Sequence, residues 1–340
     1  MAQLPLLVSF SDEAATIDLL AEELKWERSQ VTLARKLLKR GLPPLVSTNC
    51  LPFLFGVSPR LIAAMGHRPR PTYYRTFKIL KRSGGERQIE APRRFLKTIQ
   101  RWLHDHVLSK QRVAREAKGF VRRRSIFDHG NSHRRGKNLL VVDIKDFFPS
   151  VKLEHVKEIY EEIGFPPEIA MQLSRLCCLD GRLPQGAPTS PTLANLVFRS
   201  LDARLTELAA RWNCKYTRYA DDLAFSGERR FSSRDFKPIA RILKMRGFAL
   251  NEAKSRIIGA GGRQVVAGLV VNEMSHPLRA KRRRWRAMFH RAAKHPREYS
   301  DRSAYLTGVA SFVNQYDPAL AEEYRKVAEK VAAGKLTEKP

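Results

Sequence analysis

The sequence predicts an α+β protein in which helices pack on a sheet, and three observations carry that expectation. Tyr216-Thr217-Arg218-Tyr219-Ala220-Asp221-Asp222-Leu223-Ala224-Phe225-Ser226 sets adjacent carboxylates between two short apolar and aromatic stretches, the pattern of a strand, a tight turn and a strand. Asn138-Leu139-Leu140-Val141-Val142-Asp143-Ile144-Lys145-Asp146-Phe147-Phe148 starts as a buried-looking strand and suddenly carries an aspartate. Around both runs lie segments with helical periodicity, so strands and helices alternate.

The elements follow in chain order. From Ser11 to about Gly66 the pattern is helical: Ile17, Leu19, Leu20 and Leu24 form an apolar stripe, and Ser58-Pro59 opens a short helix ended by Gly66. After the Pro-rich break His67-Arg68-Pro69-Arg70-Pro71, Tyr74 to Ile89 alternates as two strands around Gly84-Gly85, a hairpin studded with Lys81, Arg82 and Arg87. Phe95 to Leu108, Val151 to Ile163 and Pro167 to Cys178 read as amphipathic helices. In Leu183-Pro184-Gln185-Gly186-Ala187-Pro188-Thr189-Ser190-Pro191, Ser190 is placed to cap a long helix whose first turn holds Pro191. That helix buries Leu193, Leu196, Val197, Leu201, Leu205 and Leu208, and the loop before it offers polar groups to an anion. Asp235 to Arg246 is a helix stopped by Gly247, and Val265 to Asn272 reads as a further strand. Arg279 to Arg297 holds nine Lys and Arg residues and no acid, with Trp285 and Phe289 at helical spacing. No internal repeat emerges.

Bulk properties bound the function. With 340 residues and 43% hydrophobic content the chain can build two or three subdomains around a sizeable core. Its 63 Lys and Arg against 34 Asp and Glu give a net charge of +29, which argues against most small-molecule enzymes and for a polyanionic partner. Met1 to Phe10 is apolar, yet it lacks a basic start and is interrupted by Ser11-Asp12-Glu13. Nothing else is long enough to span a bilayer, so a cytoplasmic protein with no membrane partner is expected. Cys50, Cys177, Cys178 and Cys214 have neither metal-site nor disulfide-framework spacing and are expected to be reduced core residues.

The chemistry rests on the aspartates. Neighbouring side chains in an extended strand point to opposite faces, so Asp221 and Asp222 converge on one centre only where the backbone turns, and a third carboxylate is needed nearby. Asp143 is the candidate. Phosphoryl transfer from a nucleotide uses two cations about 3.5 to 4 Å apart, held by shared carboxylates. On this reading Asp143 and Asp221 bridge two magnesium ions and Asp222 is more peripheral. A lone Asp-Asp pair is usually a solvated turn; Asp143 and the Gln185 loop weigh against that here.

Tyr219-Ala220-Asp221-Asp222, Asp143-Ile144-Lys145-Asp146-Phe147-Phe148-Pro149-Ser150 and Leu183 to Pro191 together resemble a reverse transcriptase, and more narrowly the bacterial retron reverse transcriptases. The likeness runs from about Tyr74 to Asn272 and includes Gly119-Phe120-Val121 and Ser125-Ile126. The resemblance implies a right-hand polymerase fold with fingers, a palm built on an antiparallel sheet and a helical thumb. The expected division is an N-terminal helical extension over 1–70, fingers and palm over 71–272, and a basic RNA-binding thumb over 273–340. It also implies that Asp143, Asp221 and Asp222 are catalytic and hold magnesium, helped by the carbonyl of Ile144. Phe148 matches the family's gate against the ribose 2'-hydroxyl, with core packing as the rival reading and a better account of Phe147. Lys81, Arg87, Gln185 and Gly186 stand where the family meets the incoming deoxynucleoside triphosphate.

Two segments depart from the family pattern. His129-Gly130-Asn131-Ser132-His133 keeps only the last histidine of the family's Asn-Ala-x-x-His, and Val266-Ala267-Gly268 replaces Val-Thr-Gly. His133 is a candidate RNA contact or a histidine satisfied by its neighbours. The basic segment offers Arg282, Arg283, Arg284 and Arg286 to RNA phosphates, with Trp285 either packing the thumb or stacking on bases.

The resulting expectation is an RNA-directed DNA polymerase that binds its own structured noncoding RNA and copies part of it into single-stranded multicopy DNA. The family implies priming from an internal guanosine 2'-hydroxyl and a role in antiphage defence with a separately encoded effector. Two alternatives are a group II intron-like or other mobile-element reverse transcriptase, for which the roughly 70 residues after Asn272 are short, and a non-catalytic RNA-binding scaffold.

Overall fold

The computed structural model describes residues 13–67, 73–80 and 84–336. Helices α1 (Glu13–Glu23), α2 (Arg28–Lys39), α3 (Cys50–Phe55) and α4 (Pro59–His67) come first. In α2 the buried residues Ala34, Leu37 and Leu38 recur at helical spacing. In α1, Ile17 and Leu20 are buried but Leu19 is 48% exposed, so it leaves the expected stripe. A residue two places beyond Ile17 is rotated by about 200° around the helix, away from the core.

Strands β1 (Tyr74–Leu80) and β2 (Glu86–Pro92) form the expected antiparallel hairpin, paired from Tyr74↔Pro92 to Leu80↔Glu86. Gly84 and Gly85 at its tip have φ of +83° and +76°, a left-handed conformation open to glycine without steric cost. Next come α5 (Arg94–His106), α6 (Ile126–Ser132), β3 (Asn138–Lys145), the one-turn α7 (Phe147–Ser150), α8 (Leu153–Ile163), α9 (Pro167–Cys177) and α10 (Ser190–Arg211). The chain continues through β4 (Lys215–Tyr219), β5 (Asp222–Gly227), α11 (Phe236–Lys244) and β6 (Ala249–Ile258).

The central sheet has the order β4-β5-β3-β6, with every neighbouring pair antiparallel. Strand β3 explains its own unbroken apolar sequence. Leu140, Val142 and Ile144 enter the main core on one face, while Leu139 and Val141 pack on the other with Phe127, Ala224 and Leu269. Both faces are covered by protein, so strand alternation leaves no polar side. Strand β6 is an unforeseen element: Ala249 to Ile258 is only half apolar and has no buried residue because it is a sheet edge, and it pairs with β3 across an irregularity between Val141 and Asp143.

Two local expectations change. Val265 to Asn272 is not one strand; β7 (Val265–Val266) and β8 (Leu269–Val270) fold back on each other through Ala267 and Gly268, whose φ values are +45° and +83°. Two consecutive left-handed residues make a two-residue hairpin turn. Ser190 is not a cap but the first residue of α10, and its hydroxyl donates to the Pro184 carbonyl at 2.8 Å, bracing the Gln185 loop.

A short β9 (His276–Pro277) pairs with β8 and leads to α12 (Arg279–Lys294), α13 (Ser303–Val313) and α14 (Pro318–Leu336). These helices enclose a core of their own that includes Trp285, Phe289, Leu306, Tyr324 and Val331. Phe312 joins it to the sheet region by packing on Phe127 at 5.1 Å between ring centroids. Cys50, Cys177, Cys178 and Cys214 are free thiols, and the first three are buried. Among the described residues no helix is long and apolar enough to cross a membrane.

Candidate active site

The expected convergence of aspartates is made by strand register. Asp143 on β3 lies directly opposite Asp222 on β5. Asp221 sits in the turn between β4 and β5, and the backbone N–H of Ile144 donates to its carbonyl at 3.0 Å, tying the turn to β3. Ala220 enters the turn with φ +56°, the sharp reversal that two neighbouring carboxylates require.

The electrostatics of the trio are adverse without a counterion. Burial, then the nearby charges of Asp221 and Asp143, push Asp222 up to about 6. Asp221 is raised by burial and then by Asp143. The Lys254 ammonium stands 3.5 Å from an Asp143 carboxylate oxygen and supplies partial compensation from β6. Three oxygen donors that resist sharing negative charge fit a hard divalent cation such as magnesium. Among the described residues no group of three or more His, Cys, Asp or Glu side chains is already drawn to coordinating distance, so the carboxylates are neighbours across the sheet rather than a closed cage.

A buried ionic cluster positions the turn from behind. Arg218 on β4 is fully buried and pairs with Asp202 of α10 through Nε at 3.0 Å and Nη2 at 2.8 Å. Its Nη1 donates to the Ala220 carbonyl at 3.1 Å and to the Asn195 side-chain oxygen at 3.0 Å. Tyr216 also donates to Asp202, at 2.8 Å. The guanidinium lies over the Phe198 ring at 4.4 Å.

Asp143 and Asp221 line a cleft of about 1020 Å³ whose opposite wall is the β1-β2 hairpin, while Asp222 lies behind its lining. Ile144 and Arg87 line it, the latter exposed on β2; Lys81 lies outside the described residues. Phe147 is buried against Phe198 and Phe248 and Phe148 is half-buried; both line the cleft, so only their burial distinguishes them. Gln185 also lines the cleft, and its carbonyl accepts the Glu90 N–H at 2.8 Å. Glu90 receives a two-pronged ion pair from Arg182 at 2.8 and 2.9 Å, so the hairpin and the Gln185 loop are locked together. Gly186, with φ +134°, makes its close approach to this strand and not to the cleft: a Cβ there would meet Ile89 at 2.9 Å and the Glu90 carbonyl at 3.1 Å.

Two RNA-contact expectations are corrected. His133 is fully buried, with Nδ1 2.8 Å from the Ser226 hydroxyl and Nε2 2.8 Å from that of Thr217. Burial and the charges of Lys215 and Lys118 lower it to about 3, so it is a neutral core residue under the sheet. Trp285 is also buried, against Phe312 and beneath the Lys281 ammonium, because α12 must close its own core. Arg283, Arg284 and Arg286 are exposed on the other side of α12, while Arg282 is half-buried with its Nε enclosed.

Sequence reasoning missed Lys254, the Glu90–Arg182 pair and the Arg218–Asp202 pair. The last had a signal: Asn195 and Asp202 lie seven residues apart, two polar residues on the apolar face of α10.

Known proteins resemble this chain over most of its length. The family model for reverse transcriptase (RNA-dependent DNA polymerase) matches residues 79–286. The Retron Mx65 reverse transcriptase of Myxococcus xanthus is 36% identical over 309 residues, covering 84% of this chain and 72% of that protein. The Retron Mx162 reverse transcriptase of the same organism is 33% identical, over 82% of this chain and 66% of the relative. The Retron Ec86 reverse transcriptase of Escherichia coli is 34% identical, over 59% and 63%. The α+β architecture, the turn of paired aspartates opposite Asp143 and these relatives place the chain in the reverse transcriptase family, among the RNA-directed DNA polymerases of bacterial retrons.

Proposed function

We propose that the chain binds its own structured noncoding RNA and copies part of it into single-stranded multicopy DNA, using deoxynucleoside triphosphates and two magnesium ions. The observation that carries the reading is a pair of carboxylates, Asp143 and Asp221, lining a cleft walled by a cationic hairpin, with Asp222 directly across the sheet from Asp143. Those carboxylates, with the Ile144 carbonyl beside them, are the groups that would hold magnesium. Bound there, the ions would lower the cost of deprotonating the primer hydroxyl and of the charge developing on pyrophosphate.

The chain's own residues supply the rest. Arg87 offers a planar fork to the triphosphate, joined by Lys81. Phe148 borders the place of the sugar and excludes a 2'-hydroxyl by its bulk, while Gln185 lines the cleft where base and template meet. Arg218 keeps the aspartate turn in place, so the carboxylates need no rearrangement before the reaction. Priming from an internal guanosine 2'-hydroxyl, defence against phage with a separate effector, and action in the cytoplasm belong to the same proposal and are supported by the likeness to retron enzymes. So does the division into an N-terminal extension, fingers and palm, and a thumb formed by α12 to α14, supported by the separate core of those helices.

The test is primer extension with purified protein, its copurifying RNA and magnesium. Labelled deoxynucleotides should enter DNA joined to that RNA, and the Asp221→Asn, Asp222→Asn double variant should be inactive. In the same assay Phe148→Ala should admit ribonucleotides; unchanged discrimination removes the gate assignment. No incorporation by the wild-type protein removes the polymerase reading.

A further inference from the structure

The loop before α6 carries an exposed aromatic residue at the edge of the aspartate turn. Phe120 is 46% exposed and lines the catalytic cleft. Its φ is +60°, a conformation that costs a bulky side chain free energy and persists only where surrounding contacts impose it. Its ring lies 5.9 Å from that of Phe148 and 6.5 Å from that of Tyr219, so it stands between the candidate sugar gate and the aspartate turn.

The contacts that impose this conformation are on both sides of the residue. Gly119 is pressed on the catalytic turn so closely that a Cβ would lie 2.7 Å from the Ala220 nitrogen. The Asn195 side chain donates to the Gly119 carbonyl at 2.9 Å, and the same side chain accepts from Arg218, which holds Ala220. Ahead of it, Lys118 N–H donates to the Arg218 carbonyl at 2.7 Å and Arg218 N–H to the Glu116 carbonyl at 2.9 Å, so the loop runs beside β4. Arg124 stitches its base by donating to the carbonyls of Ala114 at 2.8 Å and Ala117 at 2.6 Å. One buried cluster thus sets the aspartate turn and the Phe120 ring together.

The Phe148 and Tyr219 rings cover only part of it: held against its backbone preference, the Phe120 ring still leaves nearly half of its surface open at the cleft. We propose that Phe120 is a nucleotide-contacting residue: with Phe148 it forms an aromatic floor on which the base and sugar of the incoming deoxynucleotide rest, next to the carboxylates. Base–aromatic contact is tolerant of base identity because every base presents a π face, so Phe120 contributes affinity for all four deoxynucleotides without choosing among them. The inference rests on the polymerase reading of the cleft and adds a residue to it.

Steady-state extension of oligo(dT) on poly(rA) with dTTP tests it, using the full chain. The informative variant is Phe120→Asn, since asparagine tolerates the left-handed backbone and removes the ring. It should raise the KM for dTTP by about 5-fold or more, leave kcat within about twofold and leave the thermal midpoint at or above that of the wild type. Phe120→Trp should keep the KM near the wild-type value. A lowered midpoint with unchanged KM shows a purely structural role and overturns the inference, as does weaker binding of the poly(rA)–oligo(dT) duplex with unchanged KM for dTTP. Wild-type protein that extends no primer overturns the polymerase reading itself, and the inference with it.

Discussion

At the scale of single residues the active site is in conflict with the stability of the fold. An aspartate in the unfolded chain ionises near 3.8, whereas Asp222 in the folded chain ionises only at about 6, through burial first and the neighbouring carboxylates second. Between those values the folded state holds a proton that the unfolded state has released, so stability falls as pH rises through this window and the penalty is complete above it. Asp222→Asn removes the penalty. Urea denaturation in the presence of a chelator should show this variant more stable than the wild type at pH 7.5, by on the order of 1 to 3 kcal/mol, with the advantage fading towards pH 4. Equal stability at pH 7.5 would mean that Asp222 carries no unfavourable charge. The residues responsible were legible in the sequence because each broke a local rule: an aspartate at the end of a buried strand, and two aspartates where only a turn could bring them together. His133 and Trp285 were not legible in the same way, since a histidine or a tryptophan in a basic chain reads equally well as a ligand contact or as core. Their burial was settled by which faces of the sheet and of α12 other elements cover.

At the scale of elements the decisive interactions cross between segments distant in sequence. The long apolar strands and amphipathic helices could be read from periodicity, but β6 could not: as an exposed edge strand of mixed composition it owes its order to pairing with β3. The same holds for Arg218 and Asp202, which join β4 to α10 in a pair that is fully buried on both sides. Breaking such a pair on one side strands a charge and costs about 3 to 5 kcal/mol. Arg218→Met should therefore lose about that much stability in equilibrium denaturation. The double variant Arg218→Met, Asp202→Leu should recover most of the loss, because neither charge is left behind. Activity should not return in it, since the Ala220 carbonyl and Asn195 still lack their donor. Recovery of both stability and extension activity would show that the cluster packs the core without positioning the turn.

At the scale of the whole molecule, a net charge of +29 must be accommodated somewhere. The cations paired with acids, such as Arg218 with Asp202, Arg182 with Glu90 and Arg246 with Glu158, are already balanced within that sum, so the excess lies on other Lys and Arg residues. Helix α12 has no acidic residue at all, and its burial of Trp285 and Phe289 leaves Arg279, Arg283, Arg284 and Arg286 in solvent on the opposite side. A row of like charges on one exposed helix face is self-repelling unless a polyanion neutralises it. For RNA, each phosphate neutralised adds roughly 0.7 to 0.9 to the steepness with which log affinity falls against log salt. Arg283→Gln, Arg284→Gln, Arg286→Gln in one chain should therefore weaken binding of the copurifying RNA at low salt and flatten that slope by up to about 2 to 3. The thermal midpoint should hold, because none of these side chains belongs to the core of the C-terminal helices. Arg282 is left in place, as its enclosed Nε makes its loss a packing change as well as a charge change. An unaltered salt slope in the triple variant would mean that α12 turns its basic face to water and that the RNA is held by cations around the cleft.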